Sequence, residues 1–216
     1  MGQDLRNNSD LRVWETILRV YGEMQIAAVK DVDILLAAQC LDRRLNKLAT
    51  QIDRLLSDCE VNSDLDKTEI AKLCDYAASL KAMCNTLASY SVPQTLVHGD
   101  LHPGNIAQAQ GKYRFFDWTD GCISHPFFDL VTLLNLEIMP PNLLAARQDL
   151  IRFYLELWTA YEPIERLWSA WQLAQTLGAL HQAISYQHIN TCLEPPMKNQ
   201  GVMAVTFWLR QVLQSI

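Results

Sequence analysis

Residues 98–105 read HGDLHPGN, and residues 116–118 read FDW. The first stretch carries a carboxylate at Asp100 and an amide at Asn105, and its Pro-Gly pair allows the tight turn that brings the amide back beside the carboxylate. The second stretch adds another carboxylate, Asp117. One carboxylate can accept the proton of an alcohol, while amide and carboxylate oxygens are ligands that Mg²⁺ takes. An ordinary polar loop, in which Asp and Asn side chains bond turn amides, is the alternative interpretation.

The spacing of residues 98–105 matches the His-Arg-Asp-Leu-x-x-x-Asn loop of kinases, except that Gly99 replaces the arginine. The stretch resembles the aminoglycoside phosphotransferase family, small-molecule kinases of the protein-kinase-like fold, whose signature is His-Gly-Asp-x-His-x-x-Asn. Residues 116–121 (FDWTDG) and 126–130 (PFFDL) are similar to the metal-binding segment of that family and the helix after it. The resemblance is specific over residues 96–134 and looser over the flanking helices.

The resemblance implies a role for each residue of the two loops. Asp100 is the expected general base, which orients a substrate hydroxyl and accepts its proton. Asn105 and Asp117 are expected to bind Mg²⁺ and, through it, the phosphates of ATP. His98 and His102 are expected to support the catalytic loop. Together with Asp100 they also permit a zinc interpretation, but no cysteine or further histidine lies nearby in sequence to complete such a site.

Three further acids are candidates for supporting or substrate-binding roles. The resemblance implies that Asp129 hydrogen-bonds the catalytic loop and braces it; a first-turn acid favoured by the helix dipole is the alternative. Asp120 and Glu137 are candidates to face a cationic substrate such as an amino sugar, and solvated surface acids are the alternative for both.

The residues before the catalytic loop lack the features of the smaller, nucleotide-covering lobe of this family. Residues 27–30 (AAVK) look like the strand that carries the nucleotide-binding lysine, but they lie in a helical pattern and no glycine-rich loop precedes them. Lys30 is therefore expected to be a surface lysine. The expected fold is α+β and mostly α: the helical C-terminal lobe of a protein-kinase-like fold, with short β-hairpin elements carrying the catalytic and metal loops and without the N-terminal lobe.

The pattern along the chain predicts one domain over residues 1–216, with helices in residues 1–92, strands and loops in 93–124, and helices again in 125–216. Strands are expected at residues 95–98 and 113–116, which are rich in aromatic or β-branched residues. The first helix presents an apolar stripe that ends at Tyr21, and Pro126 is expected to open the helix after the metal segment. The predicted helices begin at about residue 11 and run over about residues 32–38, 41–56, 66–90, 141–161, 163–189 and 200–213.

Composition and charge limit the classes of protein to which the chain can belong. Of 216 residues, 50% are hydrophobic and 19% are charged, which is typical of a globular chain. A net charge of −6 argues against a nucleic-acid partner. No apolar run approaches the ~20 residues that span a bilayer, so no membrane partner is expected. The N-terminus shows no targeting pattern, and the expected location is cytoplasmic.

Two functions follow from these observations. The first is an ATP- and Mg²⁺-dependent kinase that phosphorylates a hydroxyl of a small molecule, such as an aminoglycoside or a related amino sugar or amino alcohol. The alternative is a truncated, catalytically incompetent kinase-like domain that serves as a binding or partner protein. A separate small-lobe chain, or self-association, is a further possibility for completing the nucleotide site.

Overall fold

The computed structural model describes residues 3–5, 8–58, 64–134 and 141–216. The described residues are mostly helical with a few short strands, as predicted. They form two compact units, one made of Met1–Asp42 and Ser91–Ala170 and the other of Arg43–Tyr90 and Trp171–Ile216. The interpretation of residues 1–216 as one domain in three parts stays a prediction.

The secondary structure elements follow one another in chain order. The helices are α1 (Leu11–Ala28), α2 (Val32–Ala37), α3 (Leu45–Ser57), α4 (Lys67–Ala88), α5 (Phe128–Leu133), α6 (Pro141–Ala145), α7 (Arg147–Glu156), α8 (Ile164–Cys192) and α9 (Pro195–Gln214). The strands are β1 (Gln3–Asp4), β2 (Leu41–Asp42), β3 (Thr95–Val97), β4 (Ile106–Ala109), β5 (Lys112–Phe115) and β6 (Cys122–Ser124). Val29–Asp31 forms a 3-10 turn that contains the exposed Lys30, so this lysine lies on no strand.

Helix α1 contacts α7 and β3 in the first unit. It begins at Leu11, as predicted. Asp10 caps it by accepting a hydrogen bond from the backbone nitrogen of Arg12 at 2.9 Å. Its buried face includes Trp14, Ile17, Leu18 and Tyr21, which recur at the helical spacing. A side chain at Gly22 would lie 2.6 Å from Leu157 just beyond α7, so a glycine lets the two chain segments approach closely.

Residues 98–105 lie between strands of two small sheets, β3 of one and β4 of the other. Strands β1, β4 and β5 form an antiparallel sheet, in which Ile106 of β4 pairs with Phe115 of β5. Strand β6 lies between β2 and β3, antiparallel to β3 and parallel to β2. The predictions of β3 and β5 are confirmed. The predicted helix over residues 41–56 is wrong at its start, because Leu41 pairs with Cys122 in the parallel ladder and α3 begins only at Leu45.

Other predicted boundaries also need correction. Pro126 does not open a helix, because α5 begins at Phe128. The single helix predicted over residues 141–161 is divided into α6 and α7, and α7 ends at Glu156. Helix α9 begins at Pro195 and not near residue 200, because its prolines occupy the first turn, where their missing N–H costs no hydrogen bond.

The second unit is built from helices. Helices α3 and α4 contact each other, and both bury apolar side chains, Leu48, Ile52 and Leu55 on α3 and Leu73 and Leu80 on α4. Asp66 caps α4 within a reciprocal capping box that Glu69 completes. None of the helices in the described ranges combines the length and apolar character that a membrane span requires.

Candidate active site

The loop of residues 98–105 leaves β3 through a backbone conformation that requires glycine. Gly99 has a φ of +83°, in the left-handed region. A Cβ at this position would lie 2.3 Å from the backbone oxygen of Asp120, well inside van der Waals contact. The missing side chain therefore lets the catalytic loop pass directly against the segment that follows Asp117.

Asp129, in the first turn of α5, holds the start of this loop. One of its carboxylate oxygens accepts from the backbone nitrogen of His98 at 2.9 Å, and the other accepts from the backbone nitrogen of Gly99 at 3.0 Å. Asp129 is buried, and burial raises its pKa against the hydrogen bonds from Tyr21, His98 and Gly99, which favour the ionised carboxylate. The resemblance assigned this contact to Asp129; its effect on the reaction stays a prediction.

His98 connects the catalytic loop with the metal segment. Its Nε2 donates to the backbone oxygen of Phe116 at 2.9 Å, and its Nδ1 accepts from the backbone nitrogen of Asp100 at 3.3 Å. The imidazole is buried, and its ring centroid lies 4.6 Å from that of Trp118. Because both ring nitrogens are engaged by backbone groups, His98 is in a supporting position and is poorly placed to bind a metal.

Asp100 is surrounded by two polar side chains from its own loop. Asn105 Nδ2 donates to the backbone oxygen of Asp100 at 3.0 Å and lies 3.4 Å from its carboxylate. His102 Nε2 lies 3.6 Å from the same carboxylate, while His102 Nδ1 accepts from the backbone nitrogen of Gly104. The Asp100 side chain stays 34% exposed. Its pKa is lowered, chiefly by the interaction with His102, which favours the ionised carboxylate.

Asp117 follows β5 in a strained conformation. Its φ and ψ are +63° and +60°, in the left-handed region that residues other than glycine seldom occupy. Its side chain is exposed, and one oxygen accepts from the hydroxyl of Thr119 at 2.9 Å. Such strain persists where the surrounding structure imposes it, and it is concentrated at functional sites.

The donor atoms of the two loops suit magnesium. The backbone nitrogen of Phe116 donates to the backbone oxygen of Asn105 at 3.1 Å, which places Asn105 beside the residue that precedes Asp117. Because Nδ2 of Asn105 bonds Asp100, its Oδ1 is the atom that can bind a cation. Mg²⁺ takes one or two protein carboxylates and completes its shell with phosphates and water. Within the described ranges, no three His, Cys, Asp or Glu residues are grouped as a zinc site needs.

The two predicted substrate-binding acids are Asp120 and Glu137. Asp120 is half-buried, and its backbone oxygen faces Gly99. Glu137 lies outside the described residues.

Sequence reasoning missed the contribution of Tyr21, which it assigned only to the apolar stripe of α1. The Tyr21 hydroxyl donates to Asp129 and lies 3.1 Å from the backbone nitrogen of His98. A tyrosine in the apolar stripe of a helix indicates a buried hydroxyl that needs a hydrogen-bond partner. The sequence does not reveal that this partner is Asp129.

Comparison with known proteins agrees with this geometry. A model of a phosphotransferase enzyme family matches residues 2–164. An ethanolamine kinase from Plasmodium vivax superposes with a TM-score of 0.61 at 13% identity, over 100% of this chain and 64% of its own. A choline kinase from Cryptosporidium parvum superposes with a TM-score of 0.65 at 13% identity, over 99% of this chain and 69% of its own. No curated protein sequence matches the chain.

These superpositions show that the fold is kinase-like. The chain spans less than two thirds of the ethanolamine kinase, 64%, and 69% of the choline kinase.

Proposed function

Because the chain belongs to the phosphotransferase enzyme family, we propose that it transfers the γ-phosphate of ATP to a hydroxyl group of a small molecule. Asp100 is the proposed base, and Asn105 and Asp117 are the proposed ligands of Mg²⁺. The observation that carries the proposal is the convergence of Asn105 on Asp100 at 3.0 Å, since the same residue bonds Phe116 through its backbone and so links the base to the metal segment.

The proposed reaction depends mainly on positioning. The ionised Asp100 carboxylate orients the acceptor hydroxyl and takes its proton as the oxygen attacks the γ-phosphorus, while ADP leaves. Bound Mg²⁺ supplies charge neutralisation at the phosphates. Asn105 keeps the Asp100 backbone in place through Nδ2 and offers its side-chain oxygen to the cation. Because Asp100 has a lowered pKa, its role is to orient the hydroxyl more than to serve as a strong base.

The proposed acceptor is an alcohol that also bears an amine, as in amino alcohols and amino sugars. A net charge of −6 favours the approach of a cation. Asp120, whose backbone lies against the catalytic loop, is the proposed acid nearest to the acceptor. The two superposed kinases are named for cationic alcohols, ethanolamine with an amine and choline with a quaternary ammonium group.

A second polypeptide is proposed to complete the nucleotide site. Phe116, directly before Asp117, is 45% exposed, and Leu41 on the edge of the parallel ladder is 40% exposed. Exposed apolar side chains of this size, one of them directly before Asp117, suit coverage by a strand-rich partner or by a second copy of the chain. Light scattering with and without ATP and Mg²⁺ tests the second copy, which predicts twice the monomer mass.

Calorimetric titration tests the metal-nucleotide site. ATP is titrated with and without Mg²⁺ into the wild type, into Asp117→Asn, and into Asp149→Asn as an exposed aspartate control on α7. We expect Mg²⁺-dependent binding that Asp117→Asn abolishes and Asp149→Asn retains. Absence of heat from a folded wild type at millimolar ATP would contradict nucleotide binding by this chain alone and would favour the catalytically incompetent protein or the need for a partner.

A transfer assay tests the role of Asp100. Radiolabelled ATP is incubated with amino alcohols and amino sugars in the presence of the wild type or Asp100→Asn. We expect Asp100→Asn to bind ATP and Mg²⁺ normally and to lose at least a hundredfold in kcat, because the base acts only in the chemical step. Equal rates for the two proteins would exclude Asp100 as the base.

A further inference from the structure

We propose that Tyr21 on α1 is a positioning residue of this phosphotransfer reaction, which holds the loop of Asp100 and the strand leading to Asp117 in their relative places. The effect of Tyr21 on catalysis rests on the proposed function. Its role in holding the two segments rests only on the contacts of its side chain.

The hydroxyl of Tyr21 engages the catalytic loop. It donates to Asp129, and it lies 3.1 Å from the backbone nitrogen of His98, which also donates to Asp129 at 2.9 Å. The His98 amide is therefore shared between a hydroxyl and a carboxylate, two residues before Asp100. Hydrogen bonds to a buried carboxylate are stronger than neutral ones, so the Tyr21 hydroxyl contributes to the orientation of Asp129 and of the amides it holds.

The ring of Tyr21 engages the other segment. Its centroid lies 4.9 Å from that of Phe115, with an edge-to-face angle of 61°. Phe115 is the last residue of β5, two residues before Asp117. One side chain thus contacts both segments, the catalytic loop through its hydroxyl and the metal strand through its ring.

Tyr21 is itself held in place by its helix. The side chain is 1% exposed. One turn further along α1, Gln25 Nε2 donates to the backbone oxygen of Leu96 at 3.2 Å and to Asp129 at 3.3 Å. The hydroxyl of Thr95 donates to the backbone oxygen of Gln25 at 2.6 Å. Helix α1 therefore supports β3 and the loop after it as one structural element.

A second buried tyrosine of the same unit provides a matched control. Tyr154 on α7 is 0% exposed, and its hydroxyl donates to Gln25 and lies 3.2 Å from the backbone oxygen of Pro126. Its hydroxyl contacts Gln25 and Pro126 and its ring contacts Phe127 and Trp158, so the side chain is placed away from His98 and Phe115. The Tyr154 hydroxyl reaches Asp129 only through Gln25, whereas the Tyr21 hydroxyl bonds Asp129 directly. Comparison of Tyr21→Phe with Tyr154→Phe therefore separates loss of the direct contact from loss of a buried hydroxyl.

The kinetic experiment compares Tyr21→Phe with Tyr154→Phe. We expect Tyr21→Phe to lower kcat for transfer from ATP to an amino alcohol by roughly ten- to a hundredfold, with KM for ATP changed less than about threefold, because misplacement of the base affects the transition state more than binding. Tyr154→Phe is expected to keep kcat within about threefold of the wild type. Equal kcat values for the two variants would overturn the inference.

Amide hydrogen exchange by NMR tests the inference independently of activity. We expect Tyr21→Phe to accelerate exchange of the His98 and Gly99 amides at least tenfold over Tyr154→Phe. If the wild type transfers no phosphate to any acceptor, the proposed function fails while the exchange rates still decide the structural part. Equal exchange in both variants overturns that part.

A third variant keeps the inference testable if Tyr21→Phe does not fold. Phe115→Leu removes the ring contact and leaves the hydroxyl of Tyr21 in place. We expect it to raise the Kd for ATP with Mg²⁺ about fivefold, because the strand before Asp117 loses its support; an unchanged Kd contradicts the ring contact.

Discussion

His98 donates from Nε2 to the backbone oxygen of Phe116 at 2.9 Å, and this side-chain hydrogen bond joins the loop of Asp100 to the segment of Asp117. The donor lies two residues before one carboxylate, and the acceptor lies directly before the other. Since His98 Nδ1 also accepts a hydrogen bond from the backbone nitrogen of Asp100, the imidazole holds the backbone of both segments.

Gly99→Ala should destabilise the protein much more than Gly111→Ala. Both glycines have positive φ, +83° and +72°. A side chain at Gly99 meets the backbone of Asp120 at 2.3 Å, whereas no described atom lies within 4 Å of the position at Gly111. We expect losses in the free energy of unfolding of about 3 kcal/mol for Gly99→Ala and about 1 kcal/mol for Gly111→Ala, measured by urea denaturation. Equal losses would mean that the loop can move away from Asp120.

Asp117→Gly should gain stability while losing nucleotide binding. Glycine adopts the left-handed conformation of Asp117 without steric cost, so we expect a gain of about 1 kcal/mol in the free energy of unfolding. Magnesium-dependent ATP binding should be lost with the carboxylate. Gln39→Gly is the control, because Gln39 is exposed and has a φ of +68° just after α2. It should give a similar gain in stability and leave ATP binding intact.

His102→Gln should move the acid limb of the pH–activity profile to higher pH. The interaction with His102 lowers the pKa of Asp100, so the wild-type carboxylate stays ionised below the usual range for aspartate. Without the imidazole the pKa rises, and Asp100 becomes protonated at a higher pH as the solution is acidified. The measurement is kcat against pH, with His188→Gln on an exposed position of α8 as the control. An unshifted acid limb would show that Asp100 does not govern it.

Glu162→Gln should reduce the sensitivity of the first unit to acid. The side chain of Arg166 and the backbone nitrogen of Ser91 lower the pKa of Glu162 to about 2. A lowered folded pKa contributes stability above the unfolded value of about 4.5, and this contribution is lost as the pH falls toward about 2. The Tm, measured between these two pH values, should fall less steeply with decreasing pH for Glu162→Gln than for the wild type. Glu156→Gln, which removes an exposed carboxylate on α7, should keep the wild-type slope.

The local parts of the site were predictable because their chemistry lies in short stretches of sequence. Asp100 and Asn105 are five residues apart, and the Pro-Gly turn between them indicates that they meet. The start of α1 at Leu11 and the start of α4, predicted at about residue 66 and observed at Lys67, were predictable for the same reason. The effect of each candidate residue on the reaction stays a prediction.

The remaining features depend on contacts between distant residues. Strand β2 has two residues, too few to show an alternating pattern, and only its pairing with β6 makes it a strand. Tyr21 looks like any other member of an apolar stripe until the fold brings Asp129 to its hydroxyl. The left-handed conformation of Asp117 is likewise not visible in the sequence, because aspartate enters this region only occasionally.

The bond between Tyr21 and Asp129 joins residues 108 positions apart, and the bond between Gln25 and Tyr154 spans 129. Contacts of such high sequence separation close long loops and form slowly, because the chain loses loop entropy before the contact energy is gained. During synthesis the signature loop leaves the ribosome before Asp129 does, so its amides have no carboxylate to bind. Each newly made molecule therefore passes through an interval in which the whole signature sequence is present and its anchored conformation has not yet formed.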